Sequence, residues 1–378
     1  MNILMLSGDA TIAEAGEGVF YHMLAHFSRY WEHVDVIVPY STGTRHQVHD
    51  NVYIHPSPYA SKLKQPLHII KTGAQLLKER PYGLIISHDF GIFYNGVGAW
   101  WLSRRHDVPY VSEIHHVEGY PRAVTKRERI YRLLAKLYIR TFGRRAAAFR
   151  VVNQREVPQF LRAQGVPNDK ILYLPSAFID HTLFYPMPNI PKRYDVLFVG
   201  RMAANKGLFL LLDALAIVKE HKPDLKACLL GRGELLNAVR ARIQALELQN
   251  HVEIIERLEK AEDVAELYNA SRMLVCASTA EGGPRVTIEA MACGTPVVST
   301  RVGIIPDIIQ NGENGLLVDW QAGAIAQGVE QLLNDEALQQ KLGEASRQSV
   351  CHLDIETVVS RYAKGYHDFI KQLEAQHG

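Results

Sequence analysis

The chain has 378 residues, 47% of them hydrophobic and 22% charged, with a formal net charge of +2. That length is too great for one ordinary core and suits two domains. The composition has no low-complexity tract and no apolar run long enough to cross a bilayer, which excludes a disordered or helix-spanning chain. Cys228, Cys276, Cys293 and Cys351 lack metal-ligand or redox-pair spacing, so reduced packing thiols of a cytoplasmic protein are expected.

The opening MNILMLSGD carries no charged leader and reads as a first strand. A helix from about Val19, the run VDVIVP, a helix around Leu63–Lys78, LIIS and PYVSEI follow. Short apolar runs alternating with amphipathic stretches imply βαβ units and a parallel sheet. From Pro175 to Asp195 the prolines at 175, 186, 188 and 191 interrupt that rhythm and mark an interdomain connection. The rhythm restarts with DVLFVG, a helix from Gly207, KACLLG, a helix from Glu234, HVEII, RMLVCAS, a helix after EGGP and PVVST.

The expected fold is therefore α/β, two doubly wound Rossmann-like domains over 1–180 and 190–353. A last helix, about 354–378, is expected to pack on a domain surface or cross back to the first domain, with Val358, Tyr362, Tyr366 and Ile370 near one face. Ligands of open α/β sheets bind beyond the carboxyl ends of the strands, so two facing sheets predict a site in a cleft.

EGGPRVTIEAMACGTPVV combines a helix entry at Gly283-Pro284 with a stop at Gly294. Amides at 284–287 suit a phosphate, whereas Glu281 and Glu289 suit hydroxyls on either side of it. The competing reading is a dipole-complementing Glu281 and an ordinary helical Glu289. Upstream, VGRMAANKG puts Arg201 and Lys206 at a strand's carboxyl edge, where two cations can neutralise a leaving diphosphate or simply make a solvated basic loop.

In order, these segments resemble the nucleotide-binding domain of the retaining glycosyltransferases of family four, which have the GT-B fold. GRMAANKG resembles the GR…KG segment, the Glu281–Glu289 stretch the E-x7-E motif, and GIIPDIIQNGENGLLV the strand-turn segment after it. The resemblance implies a donor diphosphate held by Arg201 and Lys206, a ribose held by Glu289 and a sugar touched by Glu281. It also implies Gly282, Gly283, Pro284, Arg285 and Val286 at the donor, Gly231 and Gly233 of GRGE by the nucleotide, and Arg257–Leu258 at the base.

In the first half, Gly16 and Gly18 stand where the family has an adjacent glycine pair; a plain turn explains them as well. His115, followed by His116, is placed by the resemblance near the reacting sugar. Glu118 would be the base of an inverting reaction. No metal or other cofactor is implied, the nucleotide sugar being a co-substrate, with the departing phosphate helping to deprotonate the acceptor.

Charge is unevenly divided, +7 over residues 1–190 and −5 over the rest. Arg122–Arg150 alone holds ten Lys/Arg and one Glu, with Ile130, Leu133, Leu134, Leu137 and Tyr138 as an apolar stripe. Such a helix suits an anionic membrane surface on the inner face, or packs its stripe on the sheet with solvated charges. No motif or aromatic platform for nucleic acid accompanies it.

The expected function is transfer of a hexose, from a UDP-sugar first and GDP-mannose second, to a hydroxyl of a glycan, glycolipid or small-molecule acceptor. The alternatives are a nicotinamide-dependent oxidoreductase, suggested by GRGELL but lacking the third glycine of the fingerprint, and a catalytically silent glycan- or membrane-binding module.

Overall fold

The structure, a computed structural model, describes residues 1–377, His377 by its backbone alone. It divides into two compact units. The first comprises Met1–Glu118, Ile130–Ser176 and the residues from Ile355 on; the second comprises Gly119–Arg129 and Ala177–Asp354.

The first unit holds β1 (Asn2–Leu6), β2 (His33–Tyr40), β3 (His46–His49), β4 (Val52–Ser57), β5 (Leu84–His88), β6 (Tyr110–Ile114), β7 (Ala148–Val151) and β8 (Ile171–Tyr173). Their order is β3-β4-β2-β1-β5-β6-β7-β8, parallel except for the antiparallel β3–β4 pair. The second unit holds β9 (Tyr194–Val199), β10 (Ala227–Leu230), β11 (Val252–Ile255), β12 (Ser271–Cys276), β13 (Val297–Thr300) and β14 (Leu316–Val318). All are parallel, in the order β11-β10-β9-β12-β13-β14. Strands covered on both faces must be apolar throughout, and β1, β10 and β13 are buried almost from end to end.

The helix Leu208–His221 shows how the core forms. Leu211, Leu212, Leu215 and Val218 recur at helical spacing and are wholly buried against the second sheet. Each stabilises the fold by about 1.5–3 kcal/mol relative to exposure.

The boundary between the units falls within the proline-rich segment, and beyond Ser176 that segment lies on the second unit, pinned by Asn269. That amide accepts from Met187 N at 2.7 Å and donates to Tyr185 O at 3.0 Å, while Lys192 Nζ reaches Asn269 O and Ser271 O at 2.8 Å each. Likewise Gly119–Arg129 groups with the second unit rather than with the domain expected over 1–180.

The basic stripe is also displaced. In the helix Lys126–Arg140 the buried side chains of the first unit are Ala135, Tyr138 and Ile139, whereas Ile130, Leu133 and Leu137 are 58%, 65% and 57% exposed. Tyr138 turns this face inward by stacking on Phe93, ring centroids 4.7 Å apart. No helix among the described residues is long and apolar enough to cross a membrane. The four cysteines are free thiols, only Cys351 exposed.

Candidate functional site

In each sheet the strand order reverses once beside the first strand, between β1 and β5 and between β9 and β12. Loops diverge there and leave a crevice at the carboxyl ends. Arg201 and Lys206 follow β9, and Glu281 follows β12.

The two loops of the second unit are fastened by backbone and side-chain hydrogen bonds. Thr279 N donates to Asn205 O at 2.8 Å, and Asn205 Nδ2 donates to Ala280 O at 3.0 Å. Gly207 makes the approach possible: its φ is +66°, and a Cβ there would lie 2.0 Å from Ala277 O. The result puts Lys206 Nζ 2.5 Å from Glu281 Oε1, which also accepts from Ser278 Oγ at 3.0 Å. Ser278 is held in turn, its carbonyl accepting from Trp320 Nε1 and Thr300 Oγ1. Arg201, in the same loop after β9, is exposed.

The helix Arg285–Ala292 starts differently from expectation. Pro284 is its N-cap rather than its first residue, and no side chain caps it. Pro284 has no N–H and Thr287 N donates to Pro284 O at 3.0 Å, so of the expected amides those of Arg285 and Val286 are open to an anion. Gly282 O accepts from Ile304 N, fixing the loop before the helix.

One turn into that helix, Glu289 Oε2 accepts from Tyr268 OH at 2.9 Å, and Oε1 lies 3.8 Å from the Arg285 guanidinium. Burial raises the Glu289 pKa; Arg285 and the Tyr268 hydrogen bond oppose it. Oε1 is left as the acceptor available for a hydroxyl.

Other expected donor residues have structural duties. A Cβ on Gly231 would lie 1.9 Å from Gly200 O, and one on Gly233 2.5 Å from Met202 O. GRGELL therefore needs its glycines for backbone packing, which accounts for them without a nicotinamide dinucleotide. Arg257 is exposed and paired with Glu259 at 3.2 Å, with Leu258 partly buried beside it. In the first unit, Gly16 and Gly18 pack on Thr11, and both keep negative φ.

His115 directly follows β6, 47% exposed. Its Nε2 lies 2.8 Å from Arg150 Nη1 and 3.6 Å from Glu113 Oε2. Desolvation of the ring lowers its pKa, Arg150 and His88 adding to the effect and Glu113 opposing it.

Sequence reasoning missed Glu113 and Arg150, both 1% exposed, and the neighbouring Asp89. Asp89 accepts from Ser87, Ser112 and Tyr138 hydroxyls, and burial raises its pKa to about 7. The available signal was a charged residue inside a run that otherwise reads as a buried strand, since such a charge must have partners. Among the described residues no cluster suited to a metal ion occurs.

Known proteins resemble this chain throughout. The family profile "Glycosyl transferase 4-like domain" matches residues 17–177, and "Glycosyl transferases group 1" matches 186–349. The N-acetyl-alpha-D-glucosaminyl L-malate synthase of Bacillus anthracis is 35% identical over 150 residues, which is 39% of this chain and 39% of that relative. The match thus spans about two fifths of the relative's length. Among solved structures, a sucrose-phosphate synthase from Thermosynechococcus elongatus aligns with TM-score 0.81 at 20% identity, covering 98% of this chain and 99% of the other. Anabaena HepE in complex with UDP and glucose aligns with TM-score 0.73 at 19% identity, covering 97% of this chain and 100% of the other.

Proposed function

We propose that this chain, which belongs to the family-four glycosyltransferases of GT-B fold, moves a hexose from a nucleotide diphosphate sugar to an acceptor hydroxyl with retention of configuration. The observation that carries the reading is the Lys206–Glu281 pair at the β9/β12 switch point, close in sequence to a helix start with two open amides. Lys206, Arg201 and the amides of Arg285 and Val286 bind the diphosphate. Glu289 Oε1 takes a ribose hydroxyl, and Glu281 a hydroxyl of the sugar.

Because Lys206 and Glu281 touch, they mark one place on the donor, the bond between sugar C1 and the terminal phosphate. There the cation stabilises charge on the departing oxygen while the carboxylate, steadied by Ser278, holds the sugar. The acceptor oxygen bonds to C1 as the C1–O bond to phosphate breaks, and its proton passes to the departing phosphate. His115 touches a sugar hydroxyl.

Protein cations take the neutralising role, so transfer proceeds without a metal. UDP-sugar is the first choice of donor, supported by the UDP and glucose found with HepE, and GDP-mannose the second. The acceptor is a glycan, glycolipid or small molecule.

The exposed row Ile130, Leu133 and Leu137, with Arg129 and Arg140 beside it, favours a lipid-linked acceptor reached from an anionic membrane surface. A thermal-shift screen across nucleotide sugars, followed by linkage and anomer analysis of the product in EDTA, tests the reading. No stabilisation by any donor and no product would overturn it. Sedimentation with phosphatidylglycerol vesicles, lost in the triple substitution of that row by Gln, tests the membrane part; equal sedimentation of both proteins, or of neither, would contradict it.

A further inference from the structure

The environment of His115 says more than that it lies at a sheet edge. A guanidinium nitrogen can only donate, so at 2.8 Å from Arg150 Nη1 the ring's Nε2 must carry a bare lone pair. Glu113 would draw a proton onto the same nitrogen, but at 3.6 Å it is beyond hydrogen-bond reach, and the nearer partner decides. The remaining nitrogen, Nδ1, carries the hydrogen, and no partner among the described residues claims it.

The guanidinium has little freedom to change this. Arg150 Nε donates to Leu174 O at 2.7 Å, and its central carbon sits 4.6 Å from the Tyr362 ring centroid. The Glu113 carboxylate is equally fixed. Its Oε1 accepts from Tyr362 OH at 2.6 Å and from Tyr366 OH, and its Oε2 lies 2.9 Å from His88 Nε2. Both tyrosines belong to the helix Ile355–His377, which groups with the first unit.

Resting on the transferase reading above, we propose that Arg150 and Glu113 are positioning residues that hold His115 as the neutral Nδ1–H tautomer, so that it gives a hydrogen bond to the sugar and takes no proton. The helix Ile355–His377 secures the pair through Tyr362 and Tyr366. Two consequences follow. His115 cannot take the acceptor's proton, because its one bare ring nitrogen is occupied by Arg150. A second proton on His115 would set an N–H against an N–H, so the ring stays neutral well below the usual histidine range.

The groups facing it are Glu113 on β6, His88 on β5 and Arg150 on β7, while the two tyrosines face Glu113. Only Glu113 favours the imidazolium, and its charge is already shared with Arg150, His88 and two phenols.

Long-range 1H–15N correlation spectra of the full chain with 15N-histidine, assigned with His115→Gln, read the tautomer without any reaction. Protonated Nδ1 and bare Nε2, unchanged from pH 8 to 5.5, are expected. An Nε2–H pattern, or double protonation with a midpoint near ~6.5, would overturn the proposal. In Tyr366→Phe, which keeps Arg150, the tautomer should persist. In Arg150→Met the midpoint should return toward 6.5 and kcat fall about tenfold with donor KM nearly unchanged, Arg150→Lys restoring part of it. Should Arg150→Met fail to fold, the wild-type spectrum still decides. An Nδ1–H tautomer in a protein that transfers no sugar would defeat the transferase reading and leave the positioning intact; transfer with an Nε2–H tautomer would do the reverse.

Discussion

The molecule holds two ion pairs built for opposite ends. Glu113–Arg150 in the first unit is 1% exposed on both sides and surrounded by tyrosines, a histidine and a carbonyl. Lys206–Glu281 in the second unit is 19% and 13% exposed and shares its carboxylate with a single serine hydroxyl. A buried pair gripped by two phenol hydroxyls and a backbone carbonyl fixes its neighbours, whereas a pair with few other partners can exchange one another for a ligand.

Substitutions should separate the two. Arg150→Met leaves Glu113 buried and uncompensated and should lower stability by about 3–5 kcal/mol in urea unfolding. Lys206→Ala should change stability by under about 1 kcal/mol but reduce kcat about 10²–10³-fold. If both variants lost mainly stability, or both mainly turnover, the distinction would collapse.

Asp89, beside the buried pair, sharpens it with pH. Its folded pKa of about 7 stands above the unfolded 3.8, so its contribution is complete below pH 3.8 and is lost as pH rises toward 7. Wild type minus Asp89→Asn, compared by chemical unfolding from pH 4 to 8, should therefore fall by about 4 kcal/mol with rising pH. A flat or rising difference would show that the carboxyl is ionised throughout.

The smallest effect belongs to Glu289. Removing one hydrogen bond to a hydroxyl should weaken donor binding about tenfold, while Tyr268, left without its partner, costs about 1–3 kcal/mol of stability. Tyr268→Phe should lower stability without moving the donor affinity, which separates the two roles of that carboxylate.

Both parallel sheets were legible because strands covered on both faces must be continuous apolar runs, as NILML and ACLL are. The E-x7-E helix and its stop were legible from Gly294, whose φ is +71°. Pro284 was misplaced by one position, since proline's fixed φ suits the N-cap as well as the first turn. The attachment of the segment after Pro175 to the second unit was not legible, because the pin, Asn269, lies more than 70 residues away. The Lys206–Glu281 contact joins loops that follow different strands, which no local pattern reveals. Arg150 was hidden in a basic stretch whose other charges are mostly solvated.

On the proposed reading, the second unit holds a nucleotide diphosphate sugar through Lys206, Glu281 and Glu289. Calorimetric titration of the intact chain with UDP-glucose, UDP-N-acetylglucosamine and GDP-mannose, with Glu289→Ala alongside, tests it most directly. At least one donor should bind saturably to the wild type and about tenfold more weakly to the variant. Absence of binding by every donor, or equal binding by both proteins, would contradict the account.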